Sequence, residues 1–357
     1  MKLSDRWLCF VLYSSVLFTL LAVFCIWPFH DRSWVKTGNI LLADDYIDVS
    51  TLTDHPYPKK TNFYLTYVSS QTSNRYLSDL RYWLNGYHLE NMKVLSDHNS
   101  GTALTLDDQY YVGLINAEEA VHNAIVVALS YLDIPFDEQI KQPMVEYIPE
   151  NYETGKAFHI KDEIVRIDDS NIDPFNSVTD VLRQKKRGDR IHVTVKREGQ
   201  LVTLPIVLNE TDTNGELTLG VLIRVQFVFD QIQDHEVVKF PPNFSGSSSG
   251  LMLALGLIQK LDLSHDYSGG LKIAGTGGIS RGGDVKAIAN LSTKIETAQR
   301  KGADVFLFPA SQEDEAYEAA QKLGISRMKL VPVNSVSQAI DRINQIKTEG
   351  GLANESN

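Results

Sequence analysis

Cysteine is almost missing from this sequence. Two occur in 357 residues, Cys9 and Cys25, and both lie in the first apolar stretch. The remainder therefore holds neither a disulfide framework nor a thiolate metal site. The nine histidines are scattered and form no HExxH pair, so no metal is expected. No GxxxxGKS or GxxxxGKT phosphate loop occurs, and no cofactor is expected. Positive charge is also in short supply. Lysine and arginine number 34 against 45 acidic residues, a formal net charge of -11, which argues against nucleic acid as the main partner. The hydrophobic fraction of 43% is ordinary, and the length suits about two domains plus extras.

A long uncharged run is present at one end. Residues 7–29 carry no charge, and roughly 20 apolar residues suffice to cross a hydrocarbon core as a helix. A cleaved signal peptide has a shorter apolar region and a small-residue exit. Here the exit is Ile26, Trp27, Pro28, Phe29 and His30. The expectation is a retained anchor, with residues 1–30 forming a cytoplasmic tail and a membrane helix. Trp7, Trp27 and Phe29 suit the two membrane interfaces. Lys2 and Arg6 precede the span, while Arg32 and Lys36 follow it. A short N-terminal tail ahead of a large, cysteine-free body favours an inside N-terminus and an exported body.

Residues 38–135 read as mixed α/β. Residues 62–68 are strand-like by their β-branched and aromatic content, and residues 78–83 and 115–132 read as helical. In the latter, Ala117, Ala120, Val121, Ala124, Ile125 and Ala128 recur at helical spacing, which implies a closely packed face. His122 on that helix reads as a packed or solvated residue. Residues 140–208 form a second unit, with strands expected at 144–148, 163–167, 190–196 and 201–207. A helix is expected at 177–185 and a hairpin turn at 196–200. This order resembles a bacterial PDZ domain, a module that binds extended peptide along a sheet edge. No glycine-containing carboxylate-binding loop precedes the first strand. Capture of a free C-terminus, a groove for internal peptide, a regulatory module and a structural insert all stay open.

Strands are expected at 217–229 and 236–240, then at 269–278, 285–288 and 304–309, with a glycine-rich turn at 280–284. Helices are expected at 292–301, 311–323 and 335–347, and a disordered tail over 348–357. The fold class is α/β, of the α+β kind. Before the second set of strands comes the densest cluster of small residues. Gly246 and Gly250 bracket Ser247, Ser248 and Ser249, and an apolar run follows to about residue 260. Glycine lets a backbone bend sharply and lets another chain come close. The first N–H groups of a helix lack partners within it and can bind an oxyanion. A serine there sits beside ready-made oxyanion donors.

A serine hydroxyl needs a base before it attacks. Residues 246–250 match GxSxG formally, but that motif's fold demands an acid and then a histidine further on. The only later histidine is His265, in a polar connection, with Asp262 three residues before it. A lysine serves if burial brings its pKa from about 10.4 towards neutrality. Lys260 ends a helix, and Lys272 and Lys286 lie on strands near turns. Lys294 shares a stripe with Leu291, Ile295 and Ala298, the spacing of a core-facing helix side. Spacing alone leaves open that Lys294 snorkels to water.

The order of Ser248-Ser-Gly-Leu-Met252, Ile273-Ala-Gly-Thr-Gly-Gly-Ile279, Val285-Lys-Ala-Ile-Ala-Asn-Leu-Ser-Thr-Lys294 and Gly302-Ala-Asp-Val-Phe-Leu-Phe-Pro309 is similar to that of the Lon-type serine protease domain. With the anchor and the PDZ-like unit, the chain resembles the PDZ-containing, membrane-anchored Lon-like proteases of Gram-positive bacteria, the SepM group. The resemblance implies Ser248 as nucleophile and Lys294 as base. Gly246, Ser249 and Thr276 would line the site. It also implies a catalytic domain over 213–347, with residues 38–135 as an N-terminal part of the same fold and the PDZ domain inserted between them. The family's proline and alanine beside the serine are Ser247 and Ser249 here, and its Gly-Gly pair is Ala289 and Asn290. Full Lon's ATP-driven unfolding module is absent with its phosphate loop. The function implied is an outward-facing, ATP-independent serine endopeptidase acting on secreted peptides, including signalling peptides. The rival class is a non-catalytic, PDZ-based peptide-binding or scaffold protein with a degenerate protease domain. Lon-type domains often form rings, and a homo-oligomer stays open.

Overall fold

The computed structural model describes residues 3–26, 32–55, 60–89, 106–149, 152–174, 177–209, 216–240 and 244–355. The chain divides into two compact units, Met1–Gly38 with Tyr67–Lys93, and Asn39–Thr66 with Val94–Asn357. Strands β1 (Arg32–Leu42) and β2 (Phe63–Ser73) contribute residues to both. The smaller unit also holds α1 (Leu3–Ile26), α2 (Tyr76–Leu84) and β3 (His88–Leu89). Trp7, Phe10, Leu17 and Phe18 on α1 are more than two-thirds exposed, as an apolar helix without a polar face would be outside a core. The expected anchor ran to 29, and its exit with Trp27 and Phe29 lies outside the described residues. Strand β3 pairs antiparallel with β1, setting Trp34 against Leu89 and Val35 against His88.

The first α-helix of the larger unit is α3 (Leu106–Tyr131), which starts nine residues ahead of the expected start. Its 110–131 stretch is long and apolar enough to cross a membrane, but two-thirds of it is buried inside the fold. Ala120, Ala124, Ile125 and Ala128 are at most 2% exposed, so the small-residue stripe does mark a packing face.

After α3 the chain forms β4 (Glu138–Ile140), β5 (Met144–Tyr147), β6 (Glu163–Ile167) and β7 (Ser170–Asn171). Helix α4 (Val178–Leu182) and strands β8 (Arg190–Arg197) and β9 (Gln200–Val207) follow. Then come β10 (Leu222–Arg224), β11 (Phe227–Phe229) and the single-turn helix α5 (Asp234–Val237). Strands β10, β5, β6, β8 and β9 lie in that order in one antiparallel sheet, and β7 pairs with β6. This sheet and α4 enclose their own core around Val145, Ile164, Ile167, Ile191 and Val193.

The sequence suggested one strand over 217–229. It is two, in different sheets, because β10 pairs with β5 while β11 pairs with β4. The expected strand at 236–240 is also corrected. Its start is the α5 turn, with Val237 and Val238 both buried, so burial rather than β-branched content decided the local form.

The rest is a parallel sheet wrapped on both faces. It uses α6 (Gly250–Leu261), β12 (Ile273–Gly275) and α7 (Leu291–Arg300), while β13 (Gly278–Ile279) and β14 (Val285–Lys286) pair antiparallel in a ribbon of their own. It closes with β15 (Val305–Pro309), α8 (Glu313–Leu323), β16 (Lys329–Val333) and α9 (Val336–Glu355). Strand β12 lies between β2 and β15, and β16 flanks β15; all three pairings are parallel. Side chains alternate along β15. Val305 and Leu307 join the core formed with α3, α6 and α9, while Phe306 and Phe308 join that formed with α7 and α8. Sheets covered on both faces read as continuous apolar runs, as 305–309 does.

Helix α9 runs through Glu355, which corrects the expected tail over 348–357 as far as that residue. A helix already docked through Val336, Ala339, Ile340 and Ile343 extends at little cost into polar sequence, and Glu349 pairs with Lys329 at 2.7 Å.

Candidate active site

The serine turn is a short 3-10 segment, Ser247–Ser249, leading directly into α6. Gly246 enters it at φ 91°, ψ 150°, a conformation open to glycine. Its N–H donates to the Gly113 carbonyl on α3 at 2.7 Å. The turn is also tied to the end of β12. The Ser248 carbonyl accepts from Gly277 N–H at 2.9 Å and from Thr276 Oγ1 at 3.1 Å, and Leu251 N–H donates to the Gly277 carbonyl at 3.0 Å. Gly250 has no room for a side chain, since a Cβ there would lie 2.5 Å from Ile279 Cγ2. Four hydrogen bonds thus fix where the hydroxyl at 248 stands before any substrate arrives.

The three serines are not equivalent. Ser247 is exposed. Ser249 is 4% exposed, and its hydroxyl is buried without a hydrogen-bond partner. Ser248 Oγ lies 2.7 Å from Lys294 Nζ. Lys294 stands on the first turn of α7, after Asn290, whose backbone is left-handed at φ 61°, ψ 34°. Asparagine tolerates that region better than most residues.

The stripe expected around Lys294 is buried, with Leu291, Ile295 and Ala298 all at 0% exposure. Lys294 itself is 5% exposed, so it does not snorkel to water. Its amine meets two hydroxyls, Ser248 and, at 3.1 Å, the fully buried Thr276. Burial pushes its pKa from 10.5 down to about 7. Such an amine is neutral in a large fraction of molecules near pH 7, and it lies within proton-transfer distance of Ser248. The structure therefore brings Ser248, Lys294 and Thr276 together from three elements, with Gly246 and Ser249 in the turn itself.

Sequence reasoning did not pick out Asn123. It is buried on α3 and donates from Nδ2 to the Ile279 carbonyl at 3.1 Å, holding β13 beside the turn. The available signal was an amide on an otherwise apolar helix. Gly113, the acceptor for Gly246, was missed with the first turns of α3. Lys260 is more than a favourable helix end; it pairs with the buried Asp44 at 3.0 Å. His122 is packed, with ring nitrogens 2.7 Å from Glu138 and 2.9 Å from Asp234, and its ring lies on Phe229.

The histidine reading of GxSxG does not assemble. Asp262 and His265 bond each other at 3.1 Å beyond the far end of α6, roughly 18 Å of helix from Ser248. Although burial opposes its ionisation, bonds from Ser264, Tyr267 and His265 hold the Asp262 carboxyl at about 2. Among the described residues, no group of three or more His, Cys, Asp or Glu is placed to hold a metal. A half-open groove of about 530 Å³ lined by Gln139, Lys141, Met144, Glu163, Gln226 and Val228 shares no residue with this cluster.

Comparison with known proteins bears on the sheet before this site. Residues 135–208 match the family model of the PDZ domain. Among solved structures, the chain is similar to the PDZ domain of the SdrC-like protein from Listeria monocytogenes, at 21% identity and a TM-score of 0.22, covering 23% of this chain and 86% of that one. It is similar to the equivalent domain from Listeria innocua, at 23% identity and a TM-score of 0.22, covering 23% and 93%. A protein from Geobacillus thermodenitrificans matches at 26% identity and a TM-score of 0.20, covering 23% and 95%. No curated protein matches the chain.

Proposed function

We propose that this chain is a membrane-anchored, ATP-independent serine endopeptidase that cleaves extended peptides outside the cell, with Ser248 as nucleophile and Lys294 as base. The observation that carries the proposal is the 2.7 Å contact between the Ser248 hydroxyl and a buried amine of pKa about 7. In the working form the neutral amine accepts the Ser248 proton as Oγ attacks the peptide carbonyl. The oxyanion is stabilised by N–H groups at the start of the helix. Lys294 then protonates the departing amine, an acyl-enzyme forms on Ser248, and a water deprotonated by Lys294 hydrolyses it. Thr276 holds Lys294 towards the hydroxyl.

The PDZ domain gives the peptide a place to lie. Strand β10 is at the sheet's edge, headed by Gly220 at φ 69°, so a glycine turn does precede an edge strand, though it follows the domain in sequence. An extended peptide adding to that edge is the binding mode of the fold. Tyr147, paired opposite Leu222 of β10, stacks on Tyr111 of α3 at 5.4 Å, two residues before the Gly113 carbonyl that holds Gly246. Edge and nucleophile turn are thus linked through α3. Helix α1 is the anchor, oriented with its N-terminus inside, which suits a Gram-positive cell surface and secreted signalling peptides as substrates.

The PDZ match by itself favours a second reading, a protein that holds peptides without cutting them. Incubation of the full chain with a peptide mixture, followed by mass-spectrometric mapping of products, separates the two. The endopeptidase reading expects cleavage that Ser248→Ala and Lys294→Arg both abolish, since arginine stays charged. Cleavage unaffected by Ser248→Ala, or none by the wild type while peptide still binds, would leave only the holder.

A further inference from the structure

Helix α2 carries an apolar face that nothing among the described residues of its own unit covers. Leu77, Leu80, Trp83 and Leu84 are 59%, 51%, 63% and 69% exposed. On a helical wheel they share one side, while Ser78, Asp79 and Tyr82 share the other. The inward side is well anchored. Asp79 is buried and accepts from Trp34 Nε1 at 2.7 Å and Arg32 Nη1 at 2.8 Å, and the Tyr82 ring lies against Trp34. The face cannot simply rotate inward without breaking that charged, buried cluster. Contiguous apolar exposure on this scale marks an interaction surface.

The position of the face selects its occupant. α1 and α2 touch one another within the smaller unit. Arg32, which grips Asp79, follows the end of α1 at Ile26 by six residues, at most about 20 Å of chain. Arg81 is exposed beside the apolar face, and Trp83 lies within it. Leucine and tryptophan on one side with an arginine at the margin is the composition of a helix lying in a headgroup layer.

We infer that α2 is an interfacial helix that rests its Leu77, Leu80, Trp83 and Leu84 face in the lipid surface next to the α1 anchor. This rests on reading α1 as membrane-spanning. Its consequence is that the start of the exported body is held against the bilayer, because α2 docks it a second time through a non-spanning contact.

The test uses the full chain in lipid nanodiscs, with Cys9 and Cys25 replaced by serine and an environment-sensitive fluorophore on one new cysteine. Val16→Cys reports the anchor, Leu80→Cys the face, and the exposed Gln71→Cys the unit away from it. Nitroxide lipids labelled near the headgroup should quench position 80 about two- to threefold more than position 71, and lipids labelled deep in the chain should quench position 16. Quenching at 16 with position 80 no different from 71 overturns the inference and leaves the anchor intact. No quenching at 16 removes the anchor, and this inference with it. A position 80 shielded from water yet untouched by either lipid means that protein covers the face, which also overturns it. As a check free of labels, brominated lipids should quench wild-type tryptophan emission more than that of Trp83→Phe; equal quenching contradicts the proposal.

Discussion

Replacing Lys294 by methionine should abolish cleavage and make the protein more stable. A lysine whose pKa is about 7 when folded and 10.5 when unfolded costs folding free energy whenever the unfolded chain is protonated. The folded pKa is the depressed one. The penalty is therefore absent above about pH 10.5, grows as pH falls, and is complete below about pH 7. At 1.36 kcal/mol per unit, it is about 4 kcal/mol at pH 7 and about 2 kcal/mol at pH 9. Against it stand the two hydrogen bonds to Ser248 and Thr276, each of about 1 kcal/mol. Neither hydroxyl is stranded by the change, because Thr276 still donates to the Ser248 carbonyl and Ser248 is only half-buried. Methionine fills the volume without a charge. The expected net gain at pH 7 is about 2 kcal/mol, or about 4–8 °C in Tm. Thermal unfolding of both proteins in the same detergent at pH 7, 8, 9 and 10 measures it, and the gap should shrink as pH rises. A gap independent of pH over that range, or a variant less stable than wild type at pH 7, would refute the reasoning that the amine is desolvated.

Three further outcomes follow from the same geometry. With the neutral amine as base, log kcat/KM should rise with unit slope below a pKa of about 7 and level off above it, measured on a cleaved peptide between pH 5 and 9. Ser249→Ala removes a buried hydroxyl without a partner, so it should keep full cleavage and gain about 1 kcal/mol in stability by thermal melting. Gly250→Ala drives a Cβ to 2.5 Å from Ile279 Cγ2, so it should cost about 1–3 kcal/mol and most of the activity, read by melting and by initial rates.

How much of this was visible in the sequence differs from residue to residue. Lys294 was legible in two steps: helical spacing put it on an apolar stripe, and the order of motifs paired it with Ser248. Burial decided between core and solvent, and no spacing rule reports depth. Ser248 could be separated from its neighbours only by register, since a run of three hydroxyls has no internal signal; in space one is exposed, one is buried and one meets an amine. The partners that hold the turn, Gly113 and Asn123, come from a helix more than 120 residues earlier, a distance at which local pattern carries no information. The strand expected at 236–240 and the single strand expected over 217–229 went wrong where tertiary pairing overrides β-branched content. The exposed face of α2 was present in the spacing of Leu77, Leu80 and Leu84, but apolar spacing reads as a core-facing side until the fold shows which side is outward.

The central claim is that a covalent bond forms at one oxygen. The most direct test is to incubate the full chain with a slowly hydrolysed peptide ester, quench in acid and map the acylated residue by mass spectrometry. The expected result is acyl on Ser248 in the wild type and none in Lys294→Arg. Acyl on Ser247 or Ser249, or equal labelling of Ser248 when the lysine is arginine, would contradict a dyad of Ser248 and Lys294.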